Sequence, residues 1–392
     1  MLAAVSRIAR PAASRFAARS VRSVATLDAS KIQTALTSSP VEKLPKEDLV
    51  FGGSFSDHQL EIDWDAEAGW HAPQIKPSGP LELHPAASSL HYAMQCFEGM
   101  KCYVDAEGNL RLFRPDLNMA RMNRSMARLH LPTFDGDQFI ECLKELLRVE
   151  RDWVPDGDGY SLYIRPTGIS THPFLGVGPS QNAKLFAILS PVGPYYPEGF
   201  KPVTLKAETQ YVRAWPGGTG DAKVGGNYGP TIQPQMKAAE KGYSQVLWLF
   251  GDDLQVTEVG TMNMFVFWTN AETGRKELRT APLDGTILPG VTRQSVLDLA
   301  REWGEFDVVE ETFTMPELAL ALDEGRVQEC FGCGTAAVVS PICKIGFNGR
   351  DYDVPIDPDD DAALAGKLTQ RVWDTICDIQ YGRVESPWSV VV

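Results

Sequence analysis

The sequence predicts an α/β (α+β) protein of two domains, and three observations carry the assignment. The chain has 392 residues, enough for two domains of ordinary size. Short apolar runs of strand character alternate along it with amphipathic stretches of helical period. Near the middle, residues 191–202 hold four prolines, two glycines and the pair Tyr195-Tyr196, a composition that suits a connection between domains. The expected division is a smaller N-terminal domain at 45–196, a linker at 197–202 and a larger domain at 203–392.

The first 27 residues stand apart. They carry Arg7, Arg10, Arg15, Arg19 and Arg22 among alanines and serines, with no acid before Asp28. Arginines interrupt every apolar run, so the segment reads as a mitochondrial transit peptide rather than a secretory signal, the alternative being a disordered basic tail. Without those arginines the body holds 32 basic against 51 acidic residues, which argues against a nucleic-acid partner. With 43% hydrophobic and 22% charged residues the composition is globular. No apolar run approaches the ~18 residues that span a bilayer, so no membrane partner is expected. The seven cysteines do not suggest a disulfide framework. Cys330 and Cys333 form a C-x-x-C without a second pair at zinc spacing; no metal is expected, and they read as reduced thiols.

In chain order, residues 27–48 form a polar lead-in, and residues 51–70 are rich in aromatics, with Phe55 and Trp64 in strand-like stretches. Tyr92 and Phe97 follow in a segment where plain core aromatics are the simplest reading. Residues 110–114 alternate as a strand that Pro115 ends. Residues 117–129 are helical, with Arg114, Arg121, Arg124 and Arg128 forming either a solvated face or an anion site. From Asp137, Phe139, Ile140, Leu143, Leu146 and Leu147 recur at helical spacing, with Asp135 or Asp137 as cap. In the strand at 161–165, Leu162 and Ile164 share one face and Tyr163 and Arg165 the other. That second face suits either solvent or a pocket for a carboxylate beside an apolar group.

Strands at 184–190, 203–207, 245–250 and 264–268 follow. The segment 255–263 between the last two reads as a polar turn, in which Glu258 is either a turn former or the partner of a buried cation. Leu288-Pro289-Gly290-Val291-Thr292-Arg293 leads into a helix with apolar face Val296, Leu299, Ala300 and Trp303 and a stop at Gly304. Its entrance offers free N–H groups suited to a phosphate. A similar turn is expected at 332–336, and a final helix along Leu364, Leu368, Val372 and Ile376.

The stretch that matters most is Gly220-Asp221-Ala222-Lys223-Val224-Gly225-Gly226-Asn227-Tyr228. A surface lysine needs no glycines around it, whereas one that meets a bulky aldehyde gains from close backbone approach and positive φ. A lysine acts on a carbonyl only when partly deprotonated, hence desolvated or set near other cations. Lys223 is therefore a candidate to hold pyridoxal phosphate; an ordinary lysine in a glycine-rich turn is the alternative.

Taken together, five motifs in order resemble the branched-chain amino-acid aminotransferases of the fold type IV pyridoxal-phosphate enzymes. They are Phe97-Glu98-Gly99-Met100-Lys101, the lysine loop, Thr257-Glu258-Val259-Gly260-Thr261-Met262-Asn263, Leu288-Pro289-Gly290-Val291 and Gly334-Thr335-Ala336, and the resemblance spans about 51–381. It implies a small N-terminal α/β domain and a larger pseudo-barrel domain with pyridoxal 5'-phosphate between them, in a homodimer. It implies that Lys223 binds the cofactor and moves the substrate's α-proton, that Glu258 faces the ring nitrogen, and that Tyr228 holds the ring hydroxyl oxygen. Arg121, the amides of Val291 and Thr292, and Thr335 would hold the phosphate. Phe55, Tyr92, Phe97, Tyr163 and Tyr195 would surround the substrate side chain, with Thr261 and Ala336 near its carboxylate and Arg165 for the second carboxylate of glutamate. The reaction implied is transfer of the amino group of leucine, isoleucine or valine to 2-oxoglutarate. Where some mammalian members carry a redox C-x-x-C, this chain has Ala337 and Ser340. A lyase on the same scaffold and a non-catalytic cofactor carrier are the alternatives. Dependence on a 2-oxo acid, and a half-reaction with leucine, separate them.

Overall fold

The computed structural model describes residues 25–194, 200–357, 359–360 and 362–392. The first 24 residues of the expected transit segment lie outside these, as do Tyr195, Tyr196 and residues 197–199 of the expected linker.

Alternation builds the first sheet. Strands His58–Asp65, Asn182–Val192, Ser161–Ser170, Met100–Val104 and Leu110–Phe113 lie side by side, each antiparallel to the next. Their Leu60, Ile62, Leu162, Ile164, Leu185 and Leu189 join one core with Met119, Met122, Leu143 and Leu146 from the two helices packed there. Those helices are Pro115–Arg128, with proline at its first position, and Gly136–Val149, whose N-cap Asp135 accepts from the Asp137 and Gln138 N–H groups.

The second sheet closes on itself. Strands Gln255–Val259, Gln245–Phe250, Val203–Glu208, Val338–Phe347, Val327–Gly334 and Met262–Thr269 pair in that order, and the last pairs again with the first. The result is a six-stranded barrel, as the resemblance implied. Successive residues alternate between its two sides. Met264 and Val266 enter the core with Leu205, Leu247 and Ile342, while Phe265 and Phe267 join an outer core under the helices Val291–Trp303 and Lys367–Gln380. Cys330 and Cys333 fall into different cores for the same reason and do not pair.

Several expectations change. The first domain begins before residue 45. Ala25 exchanges backbone hydrogen bonds with Ala68 and Trp70 at 3.0 Å each, Leu27 is 2% exposed, and Gln33–Thr34 pairs with Gln74–Pro77. Ala25 to Leu27 thus pack against the first sheet and its core. At the other end Ser389–Val391 adds to Leu110–Phe113, so the second domain does not run to 392. Both segments are held by backbone pairing at a sheet edge, which composition does not announce. Glu258 lies in a strand rather than in a turn: residues 255–263 form a hairpin, with Glu258 opposite Asn263. The turn expected at 332–336 starts only after Gly334, and Leu364 precedes the final helix. Phe55 lies outside any strand and is 47% exposed.

Candidate active site

The two domains share the segment that carries Lys223. Its backbone N–H donates to Ser125 Oγ (2.8 Å) and its carbonyl accepts from Phe97 N–H (3.0 Å), both in the first domain. Ala222 and Val224 on either side are buried in the first core. The glycines permit this close docking rather than a left-handed turn. A Cβ on Gly220 would strike Ala214 and Gly285, and one on Gly225 would strike Gln95, while neither residue has positive φ.

The amine itself is enclosed by protein, although the residue keeps some exposure towards the site. Burial first, then the Arg121 and Arg165 cations, lower its pKa to about 7, against the opposing pull of Glu98 and Glu258. Nζ donates to the Tyr228 hydroxyl at 3.2 Å and lies 4.8 Å from the Phe97 ring centre. Burial, aided by the Glu258 charge, raises the Tyr228 phenol to about 12, so at neutral pH it keeps its proton.

Glu258 is 2% exposed and its charge acts on both Lys223 and Tyr228. Its Oε1 accepts from Leu288 N–H (2.7 Å) and from Asn263 Nδ2 (3.4 Å), and its Oε2 pairs with Arg213 Nε at 3.0 Å. Burial raises this carboxyl, against Arg213 and the Leu288 N–H. Asn263 Nδ2 also donates to Leu288 O at 2.9 Å, tying the hairpin to the segment that enters helix Val291–Trp303. A Cβ on Gly290 would strike Asn263, so only glycine fits there.

The helix N-terminus has no side-chain cap, which leaves the Val291 and Thr292 amides open. Arg121 reaches it, donating from Nη1 to Pro289 O at 3.0 Å. Nε and Nη2 of the same guanidinium are gripped by Glu98 at 2.7 Å each, and one N–H on each terminal nitrogen remains to be used. Burial alone would raise the Glu98 carboxyl, but Arg121 holds it below its ordinary range. Gly99 N–H donates to Glu98 Oε2, and Gly99 O accepts from Thr335 Oγ1 at 3.3 Å. Arg121, Val291, Thr292 and Thr335 therefore converge on one cradle around a helix N-terminus, where an anion is favoured.

Of the aromatic set, Phe97 packs on Tyr228 with ring centres 4.9 Å apart. Arg165 lies over Phe97 (4.8 Å) and Tyr163 (5.2 Å) and donates to the Tyr163 hydroxyl at 3.1 Å. Its Nε is buried with no partner, a donor left for a ligand. Ala336 O accepts from Lys101 Nζ at 2.8 Å. Phe55 and Tyr92 do not join this group within the chain. Tyr92 is 41% exposed, with its hydroxyl on Leu175 O, and Thr261 is exposed. Phe51, which the sequence did not single out, packs edge-on against Tyr163 at 4.8 Å instead.

Sequence reasoning also missed the supporting shell of Ser125, Arg213, Glu98 and Asn263. Glu98 and Asn263 stand in the motifs named above but without a role, Arg213 left a trace as a lone charge in Tyr211-Val212-Arg213-Ala214-Trp215, and Ser125 left none. No group of three or more metal-ligating side chains occurs among the described residues.

The family profile "Amino-transferase class IV" matches residues 95–345. A branched-chain-amino-acid aminotransferase of Dictyostelium discoideum is 57% identical over 91% of this chain and 93% of its own. The chain belongs to the branched-chain-amino-acid aminotransferases. A mitochondrial member of the family from Saccharomyces cerevisiae is 51% identical over 96% of each chain, and a cytosolic one from Mus musculus 52% over 89% of each. The relatives thus include both compartments. Among solved structures, the branched-chain aminotransferase of Thermoproteus uzoniensis with norvaline covers 84% of this chain and 98% of its own at TM-score 0.66 and 25% identity. The T.th. branched-chain amino acid aminotransferase with pyridoxamine 5'-phosphate reaches 0.64 at 25%, covering 84% of this chain and 97% of its own. The chain is an aminotransferase.

Proposed function

We propose that this aminotransferase moves the amino group of leucine, isoleucine or valine to 2-oxoglutarate, reversibly, with pyridoxal 5'-phosphate held on Lys223. The observation that carries the reading is the buried amine of Lys223, with pKa about 7, bonded to Tyr228. The residues fit the cofactor. Open amides at Val291 and Thr292, with Arg121 and Thr335, suit its phosphate; Glu258 suits its ring nitrogen and Tyr228 its hydroxyl. When bound, the cofactor supplies an aldehyde for the amino group and a ring that takes up electrons from the α-carbon.

The protein does the rest. Lys223, neutral for a large fraction of molecules near pH 7, takes the α-proton and returns it across the site. Glu258, oriented by Arg213, Asn263 and Leu288 N–H, would offer its carboxylate to the ring nitrogen and favour the protonated ring. Phe97 and Tyr163 give the branched side chain an apolar wall, while Arg165 gives the second carboxylate of glutamate a cation at the same wall. One box then serves both substrates in turn.

Stopped-flow absorbance tests this division of labour one half-reaction at a time. In Arg165→Met the leucine half-reaction should stay within about threefold of wild type, while the glutamate half-reaction falls ~100-fold, the loss expected when a buried charge pair loses one partner. Equal loss in both would remove Arg165 from substrate selection. Failure of the wild-type enzyme to react with any branched amino acid would remove the reading itself.

Import into mitochondria is proposed from the arginine-rich, acid-free segment before Asp28. A fusion of residues 1–27 to a fluorescent protein should localise to mitochondria; a cytosolic signal discards the proposal. A homodimer is proposed from the exposed apolar group Leu90, Tyr92, Phe174, Leu175 and Val177, which a second copy would cover. Sedimentation at the 43.1 kDa of one chain would discard it.

A further inference from the structure

A second cavity lies beside the Lys223 site. Its volume is about 660 Å³, and its walls include Lys101, Ala336, Val338, Leu364, Trp373 and Gln380; Lys223, Tyr228, Glu258 and Arg165 do not line it. That volume is in the range of small-molecule sites.

Two buried polar groups in its wall are not fully used. Lys101 is 9% exposed and makes one hydrogen bond, to Ala336 O, with no carboxylate paired to it among the described residues. Two of its three N–H groups are left over. Gln380 is 6% exposed, and its Oε1 is buried without a partner. Both line this one cavity, as does Cys377, three residues before Gln380 on the same face of helix Lys367–Gln380. Of the other polar groups in the wall, Arg383 pairs with Asp158 and Asp378, the Tyr381 hydroxyl with Tyr160 O and Gln370 with Asp374, while Tyr103 and Asp360 complete the lining.

A cation with spare donors and a carbonyl oxygen with no donor ask for a ligand that carries both an anion and an N–H. A phosphate would set a second acceptor against Gln380 Oε1, and a simple fatty acid would leave that oxygen orphaned. We propose that this cavity is a second ligand site for a small apolar α-amino acid. Its carboxylate accepts from Lys101, its ammonium donates to Gln380 Oε1, and its side chain lies against Val338, Leu364 and Trp373. Binding here does not depend on the proposed reaction. Its consequence does, because Lys101 also holds Ala336 O in the turn assigned to the substrate carboxylate. An occupant that draws on Lys101 therefore changes the KM of the amino-acid substrate.

The test uses holoenzyme whose Lys223–cofactor bond has been reduced with borohydride, so that no turnover occurs, titrated calorimetrically with L-leucine. Wild type should show one saturable site per chain that Ala363→Trp, which fills the cavity, removes. Gln380→Leu should weaken that site at least tenfold, and 4-methylvaleric acid, which lacks the amino group, should bind wild type at least tenfold more weakly than leucine. Indistinguishable titrations of wild type and Ala363→Trp overturn the proposal, as does equal affinity for leucine and the deaminated acid. Should either variant melt below the wild type, a leucine-soaked crystal of wild-type holoenzyme decides: density between Lys101 and Gln380 supports the site, and an empty cavity overturns it.

Discussion

Lys223→Ala will lose about 10⁴-fold or more in kcat, because it removes both the cofactor's attachment and the group that moves the α-proton. Lys223→Arg should be as inactive, since a guanidinium keeps a cation at the same place but does not release its proton. The absorbance band of the lysine–cofactor linkage should vanish in both. Retention of near wild-type turnover by either variant, with an unchanged melting temperature, would end the assignment. A pH experiment tests the same amine without mutation. Only the neutral amine attacks an aldehyde, and burial with Arg121 sets this one at about 7. The rate at which apoprotein captures pyridoxal phosphate should therefore rise about tenfold per pH unit below 7 and level off above it. A solvated lysine would keep rising towards about 10.4. The sign carries over to stability. Below pH 7 the folded protein must hold a proton on a buried amine, and this penalty is relieved as pH rises from 7 towards the unfolded value, where only the unfolded chain keeps its proton.

Glu258→Gln should reduce kcat by ~10²- to 10³-fold, the usual cost of losing one preorganised electrostatic partner in a site. Its single amide oxygen can replace only one of the two carboxylate oxygens, which accept separately from Leu288 N–H and Arg213 Nε, so its NH2 faces the other donor and some stability should be lost along with the activity. Glu258→Leu separates chemistry from stability. It strands Arg213, whose side chain is 3% exposed and whose Nε pairs with Glu258 at 3.0 Å, and should cost about 3–5 kcal/mol in unfolding free energy beyond the loss of activity. Pairing it with Arg213→Met should restore much of the stability and none of the turnover. Activity returning along with stability would show that Glu258 serves only to neutralise Arg213.

How far the site was legible depends on which side of it a residue occupies. Lys223, Tyr228, Glu258, Val291, Thr292 and Thr335 lie in short stretches that stand out in the sequence, whereas Arg121 was one of four arginines in and before a helix and no local pattern separated it from the others. Tyr163, Phe97 and Arg165 were foreseen as well, and the strand alternation at 161–165 gave the physical reason for two of them. Phe55 and Tyr92 were expected in the box and lie at the surface of this chain, since an aromatic residue carries no local sign of which surface it covers. Glu98 was quoted within a motif without a role. Its bidentate grip on Arg121 joins residues 23 positions apart and exists only once strand Gln95–Phe97 and helix Pro115–Arg128 have packed.

By itself the sequence determined the class of fold and the helices that alternation and capping define, because these follow from spacing along the chain, and it singled out Lys223 and Glu258 as candidates whose roles only the resemblance implied. Tertiary structure alone decided that residues 25–27 and 389–391 complete the first sheet, that Ser125 and Arg213 fix the lysine and the carboxylate, and that Lys101 and Gln380 face a common cavity. Those facts rest on backbone pairing and on charges brought together from distant segments, and such contacts come into being only when the cores close.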